Sequence, residues 1–421
     1  MVRFKMLARD VNADPPQYRT WVVNDQPDYS GVLYTGHKSG TDPFIEVTAY
    51  MVPDALDYVP DFNLPDPLHW NTTKRVLPET VYDSHFAIVE DEYDGYSMYL
   101  FGGRFSSTSE TGTQPIITDR IYGANLADPT DWYVIPYTEG SLPTPLCGAQ
   151  LAIVNDRIYL FGGNNGAAMD TIFSAPVSNP LQWTNHGSLL PRKLYDSQLA
   201  ILGSNIYLFG GRETDHVSDV IFNAPISNPL DWYDTGRSIT DPVYGSQLAI
   251  VRDISPDGYS IYLFGGILSD GSITNNIYHA DAIDPTGWDS APVGHLPCPV
   301  AHGQFAMVNG YGYLYTNINA DKNETRILRC NLNAPTVFTM MQHTIPGVVS
   351  QSQLGIVSDR LYLFGGNGSS IIFASDVVLK YNYYNTFAAN YGFKTRTVVS
   401  NTPSKLDLFK VLGIAPWRTD Y

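Results

Sequence analysis

The stretch SQLAILGSNIYLFGG, residues 197–211, decides the fold of this chain, because the chain writes it again and again. GAQLAIVNDRIYLFGG occupies 148–163 and SQLGIVSDRLYLFGG occupies 352–366. SHFAIVEDEYDGYSMYLFGG (84–103) and SQLAIVRDISPDGYSIYLFGG (246–266) carry the same two halves around a longer middle. Each half is a short apolar run bounded by turn residues, which is strand length rather than helix length. The runs do not alternate cleanly between apolar and polar positions, as expected of strands covered on both faces. The terminal Gly-Gly marks a place where the backbone needs positive φ or a close neighbour.

Two further segments follow each pair. The third reads IYGA at 121, IFSA at 172, IFNA at 221, IYHA at 277 and ILRC at 327. The fourth opens with an Asx-Pro turn and a Trp: DPTDW (128–132), NPLQW (179–183), NPLDW (228–232) and DPTGW (284–288). In APTVF, Phe338 takes the Trp place. Pro fixes φ and the Asx side chain caps its own backbone, so these are turns. A four-stranded unit cannot bury both faces alone, and radial stacking of such units builds a β-propeller.

Two degenerate copies enter the count. YLYTN (313–317) is a glycine strand without its Gly-Gly, and VLYTG (32–36) is another, its unit closed by Trp70 in DPLHW. Seven blades follow, with glycine strands at Tyr34, Phe101, Phe161, Phe209, Phe264, Tyr315 and Phe364. The last unit stops at IIFAS (371–375), while RFKML (3–7) is unclaimed at the other end. Residues 3–7 are therefore expected to supply the missing fourth strand and close the ring. The expectation is an all-β, single seven-bladed propeller over residues 1–376 with a C-terminal extension over 377–421. In that extension PSKLDLFKVLG predicts a short helix at about 404–413, capped by Ser404 and Asp407 and ended by Gly413.

A Gly-Gly after the second strand, an aromatic in the third and a Trp opening the fourth resemble the kelch repeat. The resemblance covers about residues 3–376. The spacing between Phe222 and Trp232 is longer than is usual for kelch, which marks a divergent branch. The resemblance implies a propeller and leaves the ligand open.

Charged residues make up 16% of the 421, against about a quarter in ordinary soluble domains. The net charge of −17, without any basic run, argues against nucleic acid and anionic membrane as partners. No apolar run approaches the ~20 residues that span a bilayer, and the opening MVRFKMLARDVNADPP has no signal-peptide core. A soluble protein, made in the cytoplasm without a signal peptide and not inserted in membrane, is expected. Cys147, Cys298 and Cys330 form neither a disulfide framework nor a metal pattern, the nine histidines are scattered, and no cofactor is expected.

Taken in order from the axis outward, the connections after strand two and after strand four open on one face, where specificity would be written. At the start of the inner strands stand His85, Gln150, Gln198, Gln247, Gln304 and Gln353, each Gln expected to bond backbone in the adjacent blade. Around them Tyr82, Asp83, His85, Arg192, Tyr195, Asp196, Tyr244 and His302 form the candidate ligand-binding set, of a composition suited to sugar or peptide. Packing of the repeat is the competing account of the aromatic members. The Trp set (Trp70, Trp132, Trp183, Trp232, Trp288) reads as blade packing. In the extension Leu406, Phe409 and Leu412, with Trp417 beyond, form a candidate partner-docking stripe.

Two classes of function follow. The first is a non-catalytic interaction or attachment body. Low charge with abundant Tyr, Asn, Thr and Gly resembles an outer-surface adhesive protein, and a bacteriophage virion protein reconciles that with the lack of an export signal. Its partners would be capsid, tail or other complex subunits, and surface glycan. The second is a glycan-active enzyme, since kelch-like propellers include sugar oxidases and sialic-acid epimerases. That resemblance implies either a copper site of Tyr and His with a Tyr–Cys crosslink or clustered arginines. The face offers mainly Arg104, Arg192, Arg212 and Arg237. No catalytic residue is assigned.

Overall fold

The computed structural model describes residues 67–375 apart from 92–94, 110–111, 253–258, 309, 318–324 and 358–359, and elsewhere only residues 4–10, 17–23, 32–34, 45–50, 398–400 and 405–407. The chain divides into two compact units, Pro65–Tyr391 and Met1–Leu64 with Gly392–Tyr421. All regular elements among the described residues are strands. No helix among them is long and apolar enough to cross a membrane.

Among the described residues the larger unit holds six four-stranded antiparallel sheets. Blade one runs His85–Asp91, Gly95–Phe101, Ile121–Asn125 and Tyr133–Val134. Blade two runs Gln150–Val154, Arg157–Phe161, Thr171–Pro176 and Thr184–Ser188. Blade three is Gln198–Leu202, Asn205–Phe209, Val220–Pro225 and Tyr233–Ser238, and blade four is Gln247–Arg252, Tyr259–Phe264, Asn276–Asp281 and Gly294–His295. Blade five is Gln304–Val308, Tyr311–Thr316, Thr325–Asn331 and Phe338–Ile345. Blade six takes Gln353–Val357, Arg360–Phe364 and Ile371–Ser375 from the end of the repeat array and Trp70–Val76 from its beginning. The first strands touch one another in sequence, and that of blade six touches that of blade one. The ring is a six-bladed β-propeller.

Seven blades and closure by residues 3–7 are therefore corrected. The strand that closes blade six is Trp70–Val76, with Ser375 opposite Trp70 and Ala374 opposite Asn71. Phe4–Asp10 instead lies between Gln17–Val23 and Ile45–Tyr50 in the sheet of the smaller unit, which Val398–Ser400 extends. Val32–Tyr34, read as a degenerate glycine strand, pairs with Lys405–Asp407. The helix expected at about 404–413 is corrected over 405–407, which is strand, and its other residues lie outside the described ones. A ten-residue helix has little stability of its own, and a strand partner for these residues overrides a capping pattern. The boundary expected at 376/377 likewise gives way to a unit assembled from both ends of the chain.

The Trp motif explains how blades are joined. The indole N–H of Trp70, Trp132, Trp232 and Trp288 donates to the carbonyl of the proline three residues earlier, at 3.0, 3.0, 2.9 and 3.0 Å. Each ring then meets, edge to face, the glycine-strand aromatic of the preceding blade. Trp183 lies on Phe101, Trp232 on Phe161 and Trp288 on Phe209, at 5.0, 4.9 and 5.3 Å. Phe338 on Phe264 and Trp70 on Tyr315 continue the series at 5.2 and 5.1 Å, and Trp132 on Phe364 closes it at 5.1 Å. T-shaped aromatic pairs at this spacing add about 0.5–1.5 kcal/mol each beyond their buried area. The core accordingly lies between neighbouring blades: Tyr159, Phe161, Leu208, Phe222 and Trp232 share one cluster across blades two and three. The Trp set is blade packing, as its recurrence predicts.

The Gly-Gly pairs tie the same neighbours on one face. The second glycine donates to a loop carbonyl ahead of the next blade, Gly163 to Leu194 at 2.8 Å and Gly266 to Val300 at 2.7 Å. At Gly265, with φ of +63°, a Cβ would stand 2.2 Å from the Val300 carbonyl oxygen, so no side chain fits.

Candidate functional site

Because the inner strand starts opposite the end of the glycine strand (His85 opposite Phe101, Gln150 opposite Phe161), the turns before the inner strands gather at one mouth of the axis. Two residues before each inner strand stand Asp83, Gly148, Asp196, Gly245, His302 and Gln351, all with φ between +50° and +62°. Their backbones bond each other in a closed circle. Asp83 N–H donates to Gln351, Gln351 to His302, His302 to Gly245, Gly245 to Asp196, Asp196 to Gly148 and Gly148 to Asp83, at 2.8, 3.0, 2.7, 3.1, 2.8 and 3.5 Å. The left-handed backbone is what turns both the N–H and the C=O of one residue toward its neighbours around the axis. Gly148 and Gly245 also leave room for the next member, since a Cβ there would fall 2.5 Å from the Asp196 carboxylate and 2.6 Å from the His302 ring.

Beneath this circle lies a cavity of about 120 Å³, lined by the circle, the residues that follow it and the starts of the inner strands. Asp83, His85, Asp196 and His302 from the candidate set line it. The Gln residues line it too, and three of them bond the carbonyl of the residue before them rather than the adjacent blade. The Nε2 groups of Gln150, Gln198 and Gln247 donate to the carbonyls of Ala149, Ser197 and Ser246, at 3.2, 3.1 and 3.0 Å. The blade-to-blade bonds expected of them are made by the backbone two residues earlier. Each of these amides keeps a second N–H and an acceptor oxygen.

Tyr82 is buried and Tyr195 and Tyr244 half-buried just outside the circle. Tyr82 pairs with Arg104 and Tyr195 with Arg212 through backbone bridges. Tyr244 carries the Arg212 guanidinium over its ring at 5.3 Å and meets the His302 ring edge-on at 6.0 Å. Arg192 is not part of this cluster: it is exposed and bonds Asp234 at 2.9 Å, with Glu213 at 3.5 Å. Of the docking stripe, Leu406 is opposite Leu33 in a two-stranded pairing, and Phe409, Leu412 and Trp417 lie outside the described residues.

Burial governs the electrostatics of the mouth. Asp83, buried and 3.1 Å from the Arg104 Nε, has its pKa raised to about 7, by desolvation first and by the Asp196 charge second. Asp196 is raised to about 6, again by desolvation, against the pull of Arg104 and Arg212. The two titrate as a pair near neutrality. Desolvation depresses His85 to about 3 and lowers His302, so both imidazoles are neutral at physiological pH. Cys147 is buried with its thiol against the Asn164 carbonyl at 3.4 Å, and burial pushes its pKa up. Cys298 and Cys330 are likewise buried and free. Among the described residues no three His, Cys, Asp or Glu side chains cluster as metal ligands.

The residues that sequence reading passed over are Gly148, Gly245 and Gln351, the remaining members of the circle. Their signal was positional: Asp, Gly, Asp, Gly, His and Gln occupy one column of the repeat, and four of these six are Asp or Gly, which tolerate left-handed backbone. No protein-family model matches the chain, and no curated protein matches it.

Proposed function

We propose that the chain is a non-catalytic recognition and attachment body of kelch-like construction, serving as a structural or host-attachment component of a virion such as a decoration, fibre or tail protein. The observation that carries the recognition reading is the mouth face. There a closed circle of six hydrogen-bonded backbones borders a polar cavity, with Tyr82, Tyr195 and Tyr244 and the strand pair Arg104–Ser109 and Gly112–Ile117 beside it. A scaffold locked by hydrogen bonds and aromatic pairs, with variable loops on one face, is the arrangement used to hold a binding surface in place. The virion assignment draws on composition: 16% charge, 29 tyrosines and a net charge of −17 suit a protein facing other proteins or glycans rather than nucleic acid. Binding of the intact protein to a glycan array, and its capture by capsid or tail components, tests the reading. Binding that disappears when the mouth loops are altered supports it, and binding that survives every such change overturns it.

One observation favours the second class. Two carboxylates with pKa values of about 7 and 6 share the mouth, and such pairs also serve as acid and base in glycan chemistry. Turnover of any member of a sugar panel, abolished by Asp83→Asn or Asp196→Asn, would move the protein to that class.

A further inference from the structure

The axial cavity holds a set of groups that the fold leaves short of hydrogen-bond partners. Among the described residues no hydrogen bond to the half-buried Asp196 carboxylate is made, and the cationic charges acting on it are those of Arg104 and Arg212. His85 is 5% exposed and its Nε2 has no partner; Ser352 is fully buried and its Oγ has none. Both residues line the same cavity as Asp83 and Asp196. Gln150, Gln198 and Gln247 line it too, each giving one N–H to the preceding carbonyl and carrying an amide oxygen that can accept. Buried polar groups left unpaired are costly, so an occupant that satisfies them is stabilised. The only charged groups in the lining are the Asp83 and Asp196 carboxylates; Arg104, outside the lining, bonds Asp83 at 3.1 Å. The acceptors are distributed around a ring instead of converging as a metal-ligand cluster. A volume of about 120 Å³ has room for a small head group.

We propose that the axial cavity is a binding site for a primary ammonium group, the chemistry shared by a lysine side chain, a chain N-terminus and a free alkylamine. Three N–H donors and one positive charge on a compact head match a ring of carboxylate and amide oxygens. This inference goes beyond the attachment reading and does not depend on it, because it concerns the axis and not the partner that the loops select.

The test is calorimetric titration of the intact protein at pH 8 with ethylammonium, ethanol, Nα-acetyl-lysine amide, glycinamide, potassium and calcium. Ethylammonium is expected to bind saturably at one site and ethanol, of similar size but uncharged, at least tenfold more weakly. Asp196→Asn is expected to weaken ethylammonium at least tenfold. Tighter binding of acetyl-lysine amide than of glycinamide identifies a side chain as the source, and the reverse identifies an N-terminus. Absence of saturable ethylammonium binding overturns the proposal, as does equal binding of ethanol. Calcium or potassium binding more tightly than ethylammonium overturns it in favour of a metal-cation site. Should Asp196→Asn not fold, the ethylammonium-to-ethanol ratio on the unaltered protein decides alone.

Discussion

Replacing Trp70 by Ala probes the closure at its aromatic contact. Trp70 is 6% exposed, donates its indole N–H to Pro67 and packs on Tyr315 of the preceding blade. A buried aromatic of this size removes roughly 150–250 Å² from water, worth about 4–6 kcal/mol at ~25 cal/mol per Å². Measured truncations of buried aromatics cost about 3–5 kcal/mol. Trp70→Ala should therefore lower the stability by about 3–5 kcal/mol, comparable with Trp232→Ala, which removes the same contact between blades two and three. The assay is guanidinium unfolding of the intact protein followed by intrinsic fluorescence and circular dichroism, with midpoint and slope compared for both variants. If Trp232→Ala costs several kcal/mol and Trp70→Ala costs less than about 1 kcal/mol, Trp70 does not sit in blade six and the reasoning fails.

Four further outcomes are expected. Deleting residues 1–10 should leave the propeller's own unfolding transition in place, because Phe4–Asp10 pairs within the smaller unit; differential scanning calorimetry reads this directly. Gly265→Ala should cost about 3 kcal/mol or more, since the new Cβ meets the Val300 carbonyl at a positive φ, and a near-neutral midpoint would contradict the blade contact. His85→Gln should be neutral or stabilising by about 1 kcal/mol, as it restores the repeated amide and removes an unpartnered Nε2. Asp83 binds its proton more tightly folded (about 7) than unfolded (3.8), so it contributes stability that grows as pH falls from 8 through 7. Between pH 8 and 6.5 the intact protein should gain about 1 kcal/mol relative to Asp83→Asn, and an identical pH dependence in the two would refute the raised pKa.

Much of the fold was legible because each blade writes its own constraints. The Gly-Gly pair encodes the approach of the Val300-type carbonyl, and the Pro-x-x-Trp spacing encodes the indole-to-carbonyl bond. The blade count turns on Trp70. A count of seven needs DPLHW in the blade around VLYTG, whereas Trp70 precedes His85 by the same fifteen residues that separate Trp183 from Gln198. That spacing already made it the fourth strand of a blade whose other three strands come last. Strand pairing between chain ends leaves no local mark, so RFKML looked free when its partners were at 17–23 and 45–50. The candidate site was legible in part. Asp83, Asp196 and His302 stood out as polar residues beside the repeat, but the circle they belong to is made of backbone, and only their φ values expose it. Arg192 was misplaced because nearness in sequence to Tyr195 says nothing of the salt bridges that draw it to Glu213 and Asp234.

The central claim, a six-bladed ring closed by Trp70–Val76 against Ile371–Ser375, is tested most directly by an engineered disulfide. Asn71 and Ala374 are directly opposed in that pairing, and antiparallel partners stand about 4.5–5.5 Å apart at Cα, within disulfide range. The native Cys147, Cys298 and Cys330 are buried, so they compete poorly for an oxidant. Mild oxidation of the Asn71→Cys/Ala374→Cys protein should crosslink the pair nearly completely, as read by peptide mass mapping. The Met6→Cys/Ala374→Cys protein should remain uncrosslinked. Crosslinking of the second pair in place of the first would contradict the account and return the closing strand to the N-terminus.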